Sequence, residues 1–313
     1  MNAQPTSPLR IATRKSQLAL WQAGHVAGLL RLAHPGLAIE LVPIVTQGDR
    51  IQDRSLAAIG GKGLFIKELE VALEEERADI AVHSMKDLPA ELPAGLGIAA
   101  VLERADARDA LLTASSAGRL DDLPRGARMG TSSLRRQAQL LAARPDLAIQ
   151  ALRGNVDTRL RRLDAGEMDA IVLACAGLIR LGWESRITAR LDTRVSLPAV
   201  AQGIIGIECR DADSCTRNLV TVLEHPATRM AMDAERSFAQ RLGGSCQSPI
   251  AAHARLQGAC LMLDGLVAEP DGSRVLRDTR SGGADDPAAL GRRLAEKILA
   301  AGAGPLLERL RAG

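Results

Sequence analysis

Short apolar segments alternate with helical patterns along the first two thirds of the chain, and this alternation constrains the fold most strongly. Ser16 is a suitable N-cap for the first helix, and the His34-Pro35-Gly36 sequence ends it. The first strand and helix patterns lie at residues 9–12, 16–33, 38–45, 64–77 and 79–83. This strand–helix–strand rhythm predicts a mostly parallel sheet with helices on its faces.

The same rhythm returns further along the chain and then changes after Pro226. The second set of strands and helices is expected at residues 128–130, 132–143, 147–152, 156–163, 170–174, 175–181 and 203–209. The last set comprises a helix, three alternating strand patterns and a final helix at residues 227–241, 250–257, 260–268, 274–280 and 287–301. We therefore expect a second α/β unit and a small antiparallel α+β domain. No internal sequence repeat is strong enough to use.

Length and composition narrow the class of protein. A chain of 313 residues is too long for one typical core and predicts two or three domains. The net charge of +3 and the two Phe, two Trp and no Tyr argue against nucleic-acid binding. No apolar run approaches the ~18 residues of a membrane span, and residues 1–9 lack an apolar signal core. The expected location is the cytoplasm.

The five cysteines are scattered and odd in number, which argues against a disulfide framework and against a zinc site. Cys246 differs from the others because it follows Gly243 and Gly244 in a loop between a helix and a strand. No histidine lies near it in sequence to activate a thiol nucleophile. On its own, such a cysteine is more often a small buried residue than a functional one.

Anion-binding side chains follow four separate strands, where ligands gather in open parallel sheets. They occur at Arg14 and Ser16, in HSMKDLP at 83–89, in GTSSLRR at 130–136 and in RGNVDTR at 153–159. Each segment alone has an ordinary explanation as a solvated loop or a capped helix. Four together predict a cleft for several negative charges, because arginine forks and helix N-termini both favour anions. No dinucleotide or P-loop motif is present.

These segments resemble the porphobilinogen deaminase family, in the family's order along nearly the whole chain. The matching blocks are RIATRKSQLALWQ at 10–22, GGKGLFIKELE at 60–70, DIAVHSMKDLP at 79–89, GTSSLRRQ at 130–137, LRGNVDTRL at 152–160, SLPAVAQGIIGIECR at 196–210 and the Cys246 loop.

The resemblance implies two lobes like those of periplasmic binding proteins, with mostly parallel sheets, plus a small C-terminal α+β domain with an antiparallel sheet. The implied domains are residues 1–104 with 200–222, residues 105–199, and residues 223–313, the last carrying the cysteine loop. The implied reaction joins four porphobilinogen molecules head to tail, with loss of ammonia, into linear hydroxymethylbilane. This is a transferase step of tetrapyrrole (heme) biosynthesis.

The resemblance also assigns roles to residues. Cys246 would hold a dipyrromethane cofactor through a thioether, and Asp87 would be the catalytic carboxylate. The residues that would bind the cofactor are Ser84, Lys86, Thr131, Ser132, Ser133, Arg135, Arg136 and Arg159. Those that would face the substrate are Arg14, Ser16, Arg153, Arg180 and Gln202. The residues of the implied lid are Gly60, Gly61, Lys62, Gly63 and Phe65. No metal is expected.

The family expectation for partners is a monomer that passes its product to uroporphyrinogen-III synthase. Ala201 stands where the family commonly has Gly, and Ser248 replaces a more usual β-branched apolar residue. Two other classes stay open: a two-lobed carboxylate-binding protein without catalysis, and a transferase that uses cysteine as a nucleophile. The second predicts a free thiol at Cys246, whereas the deaminase predicts a blocked one.

Overall fold

The computed structural model describes residues 8–50, 66–89, 91–115, 117–244 and 248–312. The chain forms two compact units. Unit 1 contains Met1–Arg104 and Ile204–Arg229, and unit 2 contains Ala105–Gly203 and Met230–Gly313. The separation of residues 223–313 as a third domain stays a prediction. None of the helices in the described ranges combines the length and the apolar character that a membrane crossing requires.

Thirteen strands form within the described residues. In chain order they are β1 Leu9–Arg14, β2 Ile39–Ile44, β3 Ile80–Ser84, β4 Leu96–Val101, β5 Asp109–Thr113, β6 Arg128–Gly130, β7 Ala148–Gln150, β8 Ala170–Ala174, β9 Ala189–Arg190, β10 Ile205–Arg210, β11 Ile250–Gln257, β12 Cys260–Ala268 and β13 Val275–Gly283. The sequence patterns missed β4, β5 and β9.

The α-helices in chain order are α1 Gln17–Ala33, α2 Gln47–Arg50, α3 Lys67–Glu74, α4 Leu134–Ala143, α5 Val156–Asp164, α6 Cys175–Arg180, α7 Ser214–Thr221, α8 Pro226–Arg241, α9 Pro287–Ile298 and α10 Gly304–Ala312. A helical stretch, Leu299–Ala303, joins α9 to α10 through Gly302 at φ 100°. Side-chain oxygens of Ser16 and Ser133 cap α1 and α4 by accepting backbone N–H groups, as serines at this position commonly do.

The two α/β sheets have the same arrangement. The unit 1 sheet has the order β2-β1-β3-β10-β4, and the unit 2 sheet has the order β7-β6-β8-β5-β9. In each, only the fourth strand of this order, β10 or β5, runs antiparallel to its neighbours. Four of five strands therefore point the same way, and their carboxyl ends share an edge. The predicted fold class of two mostly parallel lobes is confirmed.

A matched ion pair supports the correspondence between the sheets. Asp79 precedes β3 and accepts hydrogen bonds from the backbone N–H and the guanidinium of Arg10, with Oδ2 2.7 Å from the Arg10 nitrogen. Asp169 precedes β8 and does the same for Arg128, again with 2.7 Å to the backbone nitrogen. Each pair ties the start of a central strand to its parallel neighbour. Sequence comparison did not reveal this repeat.

The C-terminal strands form an antiparallel β11-β12-β13 sheet, as predicted. Phe238 of α8 and Leu294 of α9 pack on one face of it in an apolar cluster. Gly265 allows this approach, because a Cβ there would lie 2.7 Å from the Phe238 ring. Within the same unit, Ala138 of α4 packs with apolar residues of β11 and β12, including Leu266.

Candidate functional site

A small pocket opens at the carboxyl ends of β1 and β3 in unit 1, with a volume of about 60 Å³. Its polar lining comes from Arg14, Ser16, Gln22, His83, Ser84 and Asp87, and its apolar lining includes Ile66 and Leu69. Four side chains that the sequence predicted as functional, Arg14, Ser16, Ser84 and Asp87, are therefore brought together. Lys86 is half-buried in the same turn as Asp87.

The turn that carries Asp87 is fixed by its first residue. Met85 is buried, and its N–H donates to Ile204 O at 3.0 Å. Its side chain fills the space beside Gly206 of β10, where any Cβ would collide with the Met85 sulfur. The Leu88 N–H closes the turn onto Met85 O. Because the apolar residue of the turn points inward, Asp87 is left exposed at the pocket.

Two polar side chains of this pocket were not among the predicted site residues. Gln22 is buried on α1 and its amide nitrogen donates to Ser84 Oγ at 2.8 Å. His83 is buried on β3, with Nε2 2.8 Å from Oε2 of the fully buried Glu208 on β10. The sequence could have indicated Gln22 and His83, because each is a polar residue at a position that faces inward. The other inward-facing residues of α1 and β3 are apolar.

In unit 2 the paired arginines surround a buried carboxylate, Asp109 of β5. Arg135 Nη1 lies 2.8 Å from Asp109 Oδ2, and Arg136 Nη2 lies 2.7 Å from Oδ1. Ser196 Oγ and Gln202 Nε2 also donate to this carboxylate, at 2.8 and 3.0 Å. Burial opposes ionisation, but the two guanidinium charges and their hydrogen bonds outweigh it and hold the pKa of Asp109 far below its ordinary value. The cluster carries two cations and one anion.

The start of α4 supplies hydroxyl groups beside this cluster. Ser133 is the N-cap, and its Oγ accepts the Arg136 N–H. Thr131 is buried and its Oγ1 accepts the Ser133 N–H at 3.2 Å. Ser132 is exposed and donates to Leu152 O at 2.9 Å. Hydroxyls and backbone N–H groups at a helix start form an environment that favours anions.

The remaining predicted arginines lie at the ends of other elements in unit 2. Arg153 and Arg159 are half-buried around the turn between β7 and α5, and Arg159 Nε donates to Gly154 O at 2.8 Å. Arg180, in the last turn of α6, donates to Gly203 O at 2.7 Å. Burial lowers the pKa of the Arg180 guanidinium to about 10. Gln202 belongs to the Asp109 cluster through its amide nitrogen.

Ala201, the residue before Gln202, has a left-handed backbone with φ 57°. Such a conformation favours glycine, which explains why glycine is the more usual residue here. The Ala201 N–H donates to Glu235 Oε2 at 2.6 Å, and Glu235 Oε1 accepts the Ala254 N–H. This buried carboxylate therefore helps to hold the alanine in the disfavoured conformation.

Cys246 and the predicted lid residues Gly60, Gly61, Lys62, Gly63 and Phe65 lie outside the described residues. The cysteines that the structure does describe, 175, 209, 215 and 260, are free thiols. Burial raises the pKa of Cys175 to about 12, which disfavours the reactive thiolate there. Within the described ranges no group of three or more His, Cys, Asp or Glu side chains is arranged to hold a metal ion.

Several solved structures share a low overall similarity with this chain. The VFT2 domain of BvgS from Bordetella pertussis is 15% identical with a TM-score of 0.41, over 68% of this chain and 84% of that one. A putative methionine-binding lipoprotein from Bacillus subtilis is 14% identical with a TM-score of 0.42, over 70% and 90%. A putative sulfonate-binding protein from Methylobacillus flagellatus is 15% identical with a TM-score of 0.38, over 74% and 68%.

Two family domains match the sequence and together cover most of it. Residues 9–218 match the dipyrromethane cofactor-binding domain of porphobilinogen deaminase. Residues 230–300 match the C-terminal domain of the same enzyme. These matches favour the transferase over a binding protein without catalysis. The chain belongs to the porphobilinogen deaminase family, transferases of tetrapyrrole biosynthesis that carry a dipyrromethane cofactor.

Proposed function

We propose that porphobilinogen reacts in the unit 1 pocket and that Asp87 is the catalytic carboxylate for joining four substrate molecules head to tail. The observation that carries this proposal is the convergence of Asp87, Arg14 and Ser16 at one sheet edge. A guanidinium and a carboxylate side by side suit porphobilinogen, which carries two carboxylates, a pyrrole N–H and an aminomethyl group.

Each group has a chemical task in this assignment. Arg14 pairs with a substrate carboxylate, since a guanidinium presents parallel N–H donors to it. Ser16 adds a hydroxyl donor at the start of α1. The Asp87 carboxylate accepts a hydrogen bond from the pyrrole N–H and stabilises the positive charge that develops on the substrate as ammonia leaves. A fixed opposite charge at the place where charge develops is among the strongest catalytic effects available to a protein.

The unit 2 groups fit the carboxylates of dipyrromethane. The Asp109 cluster has a net positive charge, Ser132 is an exposed hydroxyl, and Arg153 and Arg159 are half-buried cations. We assign cofactor binding to Ser84, Lys86, Thr131, Ser132, Ser133, Arg135, Arg136 and Arg159. Arg135 and Arg136 contribute positive charge from below the surface of the site, because their guanidinium groups are paired with Asp109. When bound, the cofactor supplies the covalently held pyrrole to which substrate units are added.

The remaining assignments complete the proposal. Cys246 carries the cofactor through a thioether, and Arg153, Arg180 and Gln202 belong to the surface that meets the substrate and the growing chain. The lid assigned to residues 60–63 and Phe65 lies outside the described residues and stays a prediction. The enzyme works as a cytoplasmic monomer and passes its product to uroporphyrinogen-III synthase.

Intact-mass measurement tests the anchor directly. Protein from a host that makes porphobilinogen is expected to carry a dipyrromethane adduct on Cys246, and Cys246→Ser is expected to lack it. Cys215→Ser is the matched control, because Cys215 is an exposed free thiol that should leave the adduct in place. An unmodified Cys246 that also stays bare after incubation with porphobilinogen would overturn the assignment.

Substitution of Asp87 tests the catalytic role. Asp87→Asn keeps the size of the side chain but removes its charge, so turnover should fall by at least about a hundred-fold. The control is Asp211→Asn, an exposed carboxylate of the same unit that pairs with Arg217. Porphobilinogen consumption is measured on protein whose adduct and circular dichroism are unchanged. Near-normal turnover of Asp87→Asn would remove Asp87 from the mechanism.

A further inference from the structure

A buried acid–imidazole cluster lies directly behind the Asp87 pocket. His83 lines that pocket and is only 6% exposed. Its Nε2 is 2.8 Å from Oε2 of Glu208, which is 0% exposed on the neighbouring antiparallel strand. Glu70, also buried, approaches from α3. We call His83, Glu208 and Glu70 the acid–imidazole cluster.

The cluster has more acceptors than donors. Oε1 of Glu208 is buried and has no hydrogen-bond partner among the described residues. A buried carboxylate oxygen without a donor is costly. Burial and the nearby charge of Glu208 raise the pKa of Glu70, whereas His83 opposes the rise. Two buried carboxylates thus lie near one imidazole, which hydrogen-bonds to Glu208.

Among the described residues, the charged groups around the cluster do not neutralise this excess of carboxylates. Arg210, on the same strand as Glu208, directs Nη1 to the carbonyl oxygens of Leu73 and Ala78 and Nη2 to Asp213. Glu74, from α3, adds a further negative charge near Glu70. The other charged side chains near the mouth of the pocket are Arg14 from β1 and Lys86 and Asp87 from the turn after β3.

The reaction requires a group that accepts a proton at every addition. The aminomethyl group of the substrate reacts as ammonium, so that its C–N bond breaks and the electron pair leaves with nitrogen as neutral ammonia. A C–C bond forms to the free pyrrole carbon of the growing chain, and the hydrogen on that carbon leaves as a proton. The departing ammonia finally takes up one proton, so no net proton is consumed. A base in the pocket must therefore receive and then return a proton in each cycle.

We propose that His83, oriented by its hydrogen bond to Glu208, is the group that receives this proton beside Asp87. The inference rests on the proposed function of the pocket. Asp87 then stabilises positive charge, while the imidazole, held by the buried carboxylate behind it, keeps the proton released from the pyrrole carbon until ammonia takes it up. Of the two ring nitrogens of His83, only Nε2 has a hydrogen-bond partner among the described residues, which leaves Nδ1 as the exchanging atom.

Turnover as a function of pH separates this role from a structural one. In His83→Gln, kcat is expected to fall at least about ten-fold with KM changed less than about two-fold. In Glu208→Gln, the acid limb of the kcat profile should move to lower pH by about one unit, because loss of the neighbouring negative charge favours the neutral imidazole. His34→Gln is the matched control, since its ring meets Leu219 O away from the pocket. Folded variants with an unchanged kcat and an unchanged pH profile would overturn the proposal.

A measurement on the wild type without substrate provides an independent test, with single His→Gln variants used only to assign the ring signals. In the cofactor-loaded wild type, the His83 ring signals in a histidine-labelled NMR sample should change protonation between about pH 5 and 8.5. His83 can be assigned by elimination among the five histidines. A His83 ring that keeps one protonation state across that range overturns the proposal even if a variant fails to fold. Failure of the proposed function is distinguishable, because it would appear as retained turnover in Asp87→Asn.

Discussion

The two reversed strands, β10 in unit 1 and β5 in unit 2, occupy the same place in their sheets and each carries a buried carboxylate. Their surroundings differ sharply. Glu208 on β10 meets one imidazole and keeps one oxygen without a hydrogen bond from the described residues. Asp109 on β5 accepts from two guanidinium groups, a hydroxyl and an amide. Among the described residues, Glu208 thus lacks a hydrogen-bond donor for one oxygen, whereas both oxygens of Asp109 accept hydrogen bonds.

The two regions therefore differ in whether their charge is constant. The Asp109 cluster keeps a fixed charge, whereas the charge near Glu70 changes with pH. Around Asp109, both arginines stay protonated and the carboxylate stays ionised, so the cluster keeps a constant positive charge. Near Glu208, by contrast, burial and the Glu208 charge raise the pKa of Glu70, so the charge of Glu70 depends on pH. Under the proposed assignment, the same sheet arrangement carries a binding surface in one unit and proton transfer in the other, because equivalent strands carry different buried side chains.

The largest effect is expected from breaking the satisfied cluster. Among the described residues, Asp109 is the one carboxylate paired with Arg135 and Arg136, so Asp109→Asn leaves two buried cations and stability should fall by roughly 3–5 kcal/mol. Urea unfolding measures the change, with the exposed Asp192→Asn as control. A loss below about 1 kcal/mol would show that the cluster does not depend on its anion.

The same variant should change the cofactor. If the Asp109 cluster positions the start of α4, Asp109→Asn should also reduce the fraction of protein that carries dipyrromethane, measured by intact mass. If the destabilised variant still carried the full adduct, Asp109 would contribute to folding but not to cofactor binding.

How much of this could be read from the sequence depends on whether the chemistry follows a local pattern. The strand–helix rhythm predicted β1, β3, β6 and β8, because each combines an apolar core with a polar turn at its end. The antiparallel hairpin of β11 and β12 was predicted to the residue, since Gly258 and strand alternation mark it. Strand β5 was missed, because it opens with Asp109, a residue that normally disfavours strands.

The contacts at the site that the sequence did not predict were missed for the same reason, because they do not follow a local sequence pattern. Arg135 and Arg136 were predicted to bind cofactor carboxylates, and the sequence gives no indication that Asp109, which lies 26 and 27 positions before them, engages both. His83 and Glu208 are 125 residues apart and become partners only when β10 returns antiparallel beside β3. Long-range pairing of polar groups has no local signature, unlike capping or amphipathic periodicity.

An intermediate loss of stability is expected from breaking the matched ion pairs Asp79–Arg10 and Asp169–Arg128, which join neighbouring strands at the start of each sheet. Asp79→Ala should cost about 2 kcal/mol, because the carboxylate accepts from both the backbone and the side chain of Arg10. Asp169→Ala should cost less, about 1 kcal/mol, since the Asp169 side chain is 35% exposed compared with 17% for Asp79. Urea unfolding of the two variants compares the lobes directly. The reverse order would mean that exposure does not set the difference between these pairs.

The smallest effect concerns Glu70, and its dependence on pH should be opposite to that of Asp109. The folded pKa of Glu70 is raised by burial and then by Glu208, so the folded state holds a proton that the unfolded chain releases above about pH 4.3. The stability from this group is therefore present at low pH and lost as the pH rises through the folded pKa. Asp109, whose pKa is lowered, contributes fully above about pH 4 and loses its contribution only in stronger acid.

Glu70→Gln mimics the protonated acid, so it should leave stability at pH 5 nearly unchanged and raise it at pH 8 by no more than about 1 kcal/mol. Urea unfolding at both pH values measures this, with the exposed Glu75→Gln of the same helix end as control. An equal change at pH 5 and pH 8 would mean that Glu70 does not titrate with the cluster. The contrast between the lobes would then rest on Glu208 and His83 alone, because no second carboxylate would share their proton.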